Sequence, residues 1–226
     1  LVSGVNSRWV TYGNLNVGQS GTGNLNVENG GYVYSITTNI GLNAGSVGIA
    51  NVTGANSRLA GTNLLIGAQN ATTDGGSGAL NISSGGRVQV GNDGFDSGTN
   101  SELVVGGGTL TVRNGATISN DGSSYIGPST SGTATITGDG STWTSATGLF
   151  VGAQSTTVNG HYGTLNVMSG GRIQVGDDSF DSGSGAEMVI GDTVPDRGVF
   201  AVRSGAVTNA GSSYIGATSG KTGSAV

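Results

Sequence analysis

The stretch that decides the fold is GNLNVENGGYV, residues 23–33, in which apolar and polar residues alternate before a pair of glycines. It returns as GALNISSGGRV at residues 78–88 and as GTLNVMSGGRI at residues 163–173. Alternation with a period of two is typical of a β-strand with one buried face, so Leu25 should point inward and Asn26 outward. The paired glycines predict a corner with positive φ, after which a second short strand begins.

The chain also repeats on a longer scale, because residues 64–106 realign on residues 149–191 and carry Arg87 onto Arg172. Since Leu1 begins within the pattern, we expect the chain to be a piece of a longer protein. We treat residues 1–226 as a single domain built from repeat units. These units are approximately residues 4–53, 54–137 and 138–226.

The composition excludes most ordinary domains, since 46 of the 226 residues are glycine and only 9% are charged. Short strands about every ten residues, with glycine at the corners, leave a sandwich, a barrel or a β-solenoid. Of these three, only a solenoid stacks equivalent residues of successive repeats on one another, so equivalent positions keep similar residues from coil to coil. The sequence therefore predicts an all-β chain folded as a β-solenoid of about ten coils. Outward Asn and Thr side chains should form ladders along the stack.

Charge, cysteine content and hydropathy exclude several kinds of partner. A formal net charge of −5, with eight Lys and Arg against thirteen Asp and Glu, argues against nucleic acid. The absence of cysteine excludes disulfides and thiolate metal sites. No apolar run reaches the roughly 18 residues of a membrane helix, so we expect no direct membrane insertion of this fragment.

The repeat resembles one shared by autotransporter (type V secretion) passenger domains and some PEP-CTERM-anchored bacterial surface proteins. Residues 23–59 carry the resemblance most fully, and its elements recur over residues 132–171. Two departures stand out: Leu59 occupies a position where the repeat usually has Trp, and the later units contain an extra strand pair. This extra pair covers residues 91–127 and again residues 176–216.

The resemblance implies a right-handed parallel β-helix that is displayed at a bacterial outer membrane or secreted. It also implies a C-terminal β-barrel translocator in the full-length protein. Passengers of this class include adhesins, self-associating proteins, enzymes and toxins. The implied partner is a host-cell surface protein or glycan, or the same protein on a neighbouring cell, as in biofilm formation and virulence.

The most site-like feature is an acidic loop with one aromatic residue, at residues 91–98 and again at residues 176–183. Carboxylates in a tight loop suit Ca²⁺, and a Phe beside them can stack on a sugar ring. The alternative is that Asp and Asn fix the turn while Phe covers a coil edge. The loop matches neither the EF-hand spacing nor the Gly-Gly-x-Gly-x-Asp nonapeptide of calcium-bound β-rolls. Apart from calcium at this loop, the sequence predicts no cofactor. The candidate ligand-binding residues are Asp93, Phe95, Asp96, Asp178, Phe180 and Asp181, and the four aspartates among them are also the calcium candidates.

Other polar and aromatic residues favour structural roles. The single histidine, His161, falls in a variable loop, so material for a nucleophilic triad is lacking and no catalytic residue is predicted. Four arginines recur as matched pairs and are interpreted as packing and ion pairing on the rod surface. Four aromatic residues are interpreted as packing residues that cap coil corners. The arginines are Arg87, Arg172, Arg113 and Arg203, and the aromatics are Tyr125, Tyr214, Trp9 and Trp143.

A threonine-rich stretch at residues 133–137 resembles ice-binding solenoids, but no recurrence in successive coils is apparent from the sequence. The leading hypothesis is therefore a non-catalytic adhesive or self-association module that binds through long polar faces. Its most specific points would be the loops at residues 91–98, 176–183 and 192–198. The alternatives are a glycan-acting or glycan-binding β-helix of the lyase or tailspike kind, and a secreted effector that engages a host receptor.

Overall fold

The computed structural model describes residues 1–91, 101–152, 162–176, 186–191, 197–215 and 222–225. Within these ranges the chain forms strands and turns and contains no helix, as the alternating pattern predicts. The strands are β1 (Val2–Ser3), β2 (Arg8–Val17), β3 (Thr22–Glu28), β4 (Tyr32–Ile40), β5 (Val47–Thr53), β6 (Arg58–Ile66), β7 (Ala68–Asn70), β8 (Thr73–Asp74), β9 (Ser77–Ser83), β10 (Arg87–Val90), β11 (Glu102–Val105), β12 (Gly108–Arg113), β13 (Thr117–Asn120), β14 (Ser123–Ile126), β15 (Gly132–Thr137), β16 (Thr142–Ser145), β17 (Gly148–Val151), β18 (Tyr162–Met168), β19 (Arg172–Val175), β20 (Glu187–Ile190), β21 (Arg197–Arg203), β22 (Ala206–Asn209), β23 (Ser212–Ile215) and β24 (Thr222–Ala225).

Nine of these strands form the first sheet, in the order β1-β3-β5-β9-β12-β15-β18-β21-β24, and every neighbouring pair is parallel. The triplets at residues 25–27, 80–82 and 165–167 lie in this sheet in register, with Leu25 and Val27 buried and Asn26 on the outer side. This confirms the predicted direction of the side chains. One buried column of the sheet consists of Leu25, Ala50, Leu80, Leu110, Ala134, Leu165 and Phe200.

The second sheet has thirteen strands and divides into two branches at β6. The first half of β6, from Arg58 to Gly61, pairs with β10, and its second half, from Asn63 to Ile66, pairs with β11. The first branch continues as β10-β13-β16-β19-β22 and the second as β11-β14-β17-β20-β23, with all pairs parallel. From β10 and β11 onwards, two short strands of this sheet therefore stand where β2, β4 and β6 are each continuous.

A single apolar cluster joins the two sheets along the stack. It is made of Leu, Val, Ile and Ala with a few larger side chains, and Trp143 is the largest that is fully buried. Each strand contributes only two or three inward side chains, because alternate residues face solvent. A chain that is only 34% hydrophobic can therefore still fill a continuous core.

The paired glycines at the corners have two different roles. Gly85 has a φ of +80° and follows Ser84 at +54°, so two successive residues occupy the left-handed region, where the first glycine carries no steric cost. Gly86 has no positive φ, but a Cβ there would overlap the carbonyl oxygen of Val52 in the preceding coil. The same arrangement recurs at Gly170 and Gly171. The first glycine of each pair thus provides the corner conformation, and the second provides room for the stack.

Several strands end in an aliphatic residue followed by glycine, and the N–H group of that glycine bonds to the preceding coil. The N–H group of Gly41 donates to the carbonyl of Val17 at 2.9 Å, and the N–H group of Gly67 donates to Ile40 at 2.8 Å. The series continues through Gly106, Gly127, Gly152 and Gly191, each of which donates to the coil before it. Apart from the antiparallel pair of β7 and β8, the described strands are parallel, which is consistent with a β-solenoid.

We expect Gly86→Ala and Gly171→Ala to lower the free energy of unfolding by about 1–3 kcal/mol each, because each new Cβ meets a backbone carbonyl that cannot rotate away. Gly21→Ala is the matched control, since nothing lies within 4 Å of a Cβ built at that residue. Urea unfolding followed by circular dichroism measures all three. Equal effects at the three positions would show that the spacing between coils does not require these glycines.

Candidate functional site

The predicted loop residues lie outside the described residues. This holds for Asp93, Phe95, Asp96, Asp178, Phe180 and Asp181, for the calcium site considered on four of them, and also for His161 and residues 192–196. The described strands on either side are β10 and β11 for the first segment and β19 and β20 for the second. β10 and β19 are three strand steps apart in one branch of the second sheet, as β11 and β20 are in the other.

Asparagine side chains form a ladder on the outer side of the first sheet, as predicted. The side-chain amide of Asn51 donates to the Oδ1 of Asn26 at 2.8 Å, and the amide of Asn81 donates to the Oδ1 of Asn51 at 3.0 Å. The three residues are partners in the strand register of β3, β5 and β9. Because each Asn donates to the coil before it, the ladder fixes the orientation of three amide groups on a half-exposed face.

Threonines occupy the neighbouring region of the same face. The expectation that their Thr-x-Thr pattern does not recur in successive coils is wrong. Thr133 and Thr135 of β15 pair with Thr109 and Thr111 of β12, so the Thr-x-Thr pattern does recur in the adjacent coil. Thr164 of β18 extends one of the two rows. The sequence does not reveal this recurrence, because the connections between stacked strands differ in length and the strand register cannot be deduced from residue spacing. The resulting patch of hydroxyl groups is limited to β12, β15 and part of β18.

Arginine and tyrosine stack on the outer side of the second sheet. The guanidinium carbons of Arg8 and Arg58 lie 5.1 Å and 5.5 Å from the ring centre of Tyr32, so one ring contacts two cations. The Nη2 of Arg58 also donates to the Oε1 of Gln89 at 2.6 Å. Arg8 and Arg58 therefore make contacts with an aromatic ring and an amide.

The matched arginine pairs lie on different faces. Arg87 and Arg172 occupy the same outward column of the second sheet, whereas Arg113 and Arg203 lie in the first sheet. All four side chains are exposed. Two shallow depressions, of about 410 and 450 Å³, lie beside Arg172.

The aromatic residues lie within strands and not at coil corners. Trp143 is fully buried in the core, whereas Trp9 is 45% exposed. Tyr125 stacks on Phe150, with ring centres 5.1 Å apart and planes 15° apart. Burial raises the pKa of the Tyr125 hydroxyl; a hydrogen bond with Ser123 lowers it in part, and the charge of Glu102 adds to the rise.

Over the described ranges, no group of three or more His, Cys, Asp and Glu side chains is arranged to hold a metal ion. The same part of the chain contains no helix whose length and apolar character would let it cross a membrane.

We expect Asn51→Ala to lower the free energy of unfolding by about 1–3 kcal/mol, because two side-chain hydrogen bonds of the ladder are lost. Asn24→Ala is the matched control, since Asn24 lies on the same sheet face, is exposed and pairs with Ile49. It should change stability by less than about 0.5 kcal/mol. Urea unfolding measures the free energy of unfolding of both variants. A larger loss of stability in Asn24→Ala than in Asn51→Ala would contradict a stabilising role for the ladder.

Stability should also fall at alkaline pH through Tyr125. Its pKa is raised in the folded state, so the stabilisation is complete below the ordinary tyrosine value of 10.0 and is lost as pH rises through the folded value. Tyr125→Phe should therefore reduce the loss of stability above about pH 10. Tyr214→Phe, at the matching position of the repeat and 43% exposed, serves as the control. An unchanged alkaline loss in Tyr125→Phe would refute this assignment.

The described residues form long faces on which polar side chains recur at the spacing of the strands. Such faces suit an extended ligand that makes the same contact several times. Comparisons of the chain with protein-family models, with curated proteins and with solved structures found no match.

Proposed function

We propose that the chain is part of a bacterial surface-displayed or secreted passenger of the autotransporter kind, folded as a right-handed parallel β-helix of about ten coils. It acts as a non-catalytic adhesive or self-association module. The observation that carries this proposal is the in-register stacking of nine parallel strands in the first sheet. At a strand spacing of about 4.8 Å, these strands extend over about 40 Å.

The stack supports adhesion because each coil repeats the same weak contact with an extended ligand. Each coil presents two or three outward side chains per strand, and the next coil presents its own at the same place. A hydrogen bond to an exposed Asn or Thr contributes little alone, but contacts made by one extended ligand act at high effective concentration. Affinity would then be distributed along the face. The partners would be a host-cell protein or glycan, or the same protein on another cell.

A glycan-binding role is the second candidate, and one observation favours it. The outer side of the second sheet combines exposed arginines with hydroxyl side chains and a tyrosine stacked between cations. Arginine and hydroxyl groups are suitable partners for sugar carboxylates and hydroxyls. The two candidates are compatible, because adhesion to a cell surface is often adhesion to its glycans.

Cell adhesion measured with the intact passenger tests the adhesive function. Cells displaying the passenger should settle from suspension and attach to cultured host cells, and removal of residues 1–226 should abolish both. A variant carrying Gly86→Val and Gly171→Val keeps the length of the passenger but disturbs the stack. It should lose both activities at equal surface amounts, measured with an antibody. Undiminished settling and attachment after removal of residues 1–226 would refute the proposal.

A further inference from the structure

The first branch of the second sheet, together with β2, β4 and β6, has an outer side of unusual charge. Its first outward column consists of Arg8, Tyr32, Arg58, Arg87, Thr117, Thr142, Arg172 and Ala206. Four of the chain's eight Lys and Arg residues therefore lie in one column, although the chain has a net charge of −5. The second outward column consists of Val10, Tyr34, Ala60, Gln89, Ser119, Thr144, Gln174 and Thr208.

Neither column contains an acidic residue, which makes this side locally cationic on an acidic chain. All thirteen Asp and Glu residues lie elsewhere in the sequence. Two described acids border this side: Asp139, in the turn before β16, lines one of the two depressions together with Arg172, and Asp121 directly follows β13. We call the outer side of β10, β13, β16 and β19 the arginine face.

Two arginines are placed at opposite ends of the arginine face. Arg87 of β10 and Arg172 of β19 are separated by three strand steps, or about 14 Å. Both side chains are exposed, and an exposed guanidinium keeps its donors accessible to an anion.

Short hydroxyl side chains form the floor between the two arginines. Thr117 and Ser119 of β13 pair with Thr142 and Thr144 of β16, and all four are half-buried. A depression of about 410 Å³ opens at the Arg172 end, lined by Thr142, Thr144, Arg172 and Gln174 among others. Because the floor side chains are short, they leave room for a ligand that lies flat across the strands.

The chemistry of the arginine face indicates the class of ligand. A guanidinium matches a carboxylate with two parallel hydrogen bonds, and threonine and serine hydroxyls both donate and accept, as sugar hydroxyls do. A spacing of about 14 Å exceeds the size of a single sugar ring, so one chain would have to contact both arginines. Double-stranded nucleic acid fits poorly, because few cations face it and the rest of the chain repels phosphate.

We propose that the arginine face binds a linear polysaccharide with carboxylate-bearing sugars, which lies along the stack with carboxylates at Arg87 and Arg172. The assignment rests on the proposed adhesive function, since it names the ligand class of that surface. Sugar hydroxyls between the two carboxylates contact the hydroxyl floor.

Binding of the purified 226-residue chain to immobilised polygalacturonate tests this site, with neutral dextran as the comparison. The chain should bind polygalacturonate and not dextran, and the affinity should fall as salt concentration rises. The double variant Arg87→Ala/Arg172→Ala should bind at least about tenfold more weakly, since two charge-assisted contacts are lost. Arg87→Lys/Arg172→Lys should be intermediate, because lysine keeps the charge but not the planar fork.

The control is Arg113→Ala/Arg203→Ala, which removes the same charge from exposed positions of the first sheet. Its affinity should stay within about twofold of wild type. Equal weakening by both double variants, lysine variants that bind as wild type does, or equal binding to dextran would overturn the assignment. Loss of polygalacturonate binding is measured without cells. Adhesion that survives in Arg87→Ala/Arg172→Ala would therefore refute this ligand while leaving the adhesive function standing.

Discussion

Backbone hydrogen bonds between successive coils are the interaction on which the rest of the structure depends. Each parallel strand donates to and accepts from its neighbours in the stack, and glycine N–H groups at the strand ends continue the series between coils. Such bonds require every coil to follow the path of the one before it. A side chain at Gly86 or Gly171 would interrupt that path, which explains why the second glycine of each pair is needed for space and not for its φ.

Stacking in register converts a short sequence pattern into long surfaces. Because equivalent residues lie about 4.8 Å apart, one type of side chain repeated in several coils becomes a column. The asparagine ladder of Asn26, Asn51 and Asn81 is one such column, and the arginine column of the second sheet is another. The columns differ in chemistry from face to face, so a single chain can present several binding surfaces at once.

Much of the fold could be predicted from the residues, because alternation and glycine placement are local signals. The burial of Leu25 and Val27 and the corner at Gly30 follow from them. Register is not local, since it depends on which strand lies beside which across connections of variable length. The threonine rows of β12 and β15 and the three strand steps that separate Arg87 from Arg172 therefore emerged only from the structure. The predicted loop site lies outside the described residues, so its role stays a prediction.

The distance between residues 87 and 172 is the sharpest test of the stacked fold, because the stack alone brings these two distant positions to one face. The chain has no cysteine, so Arg87→Cys/Arg172→Cys can be labelled specifically with rigid nitroxides. In the stacked fold, the dipolar coupling should correspond to backbones about 14 Å apart, or three strand spacings. A separation of about twice that distance, or no coupling in a folded and fully labelled protein, would contradict it.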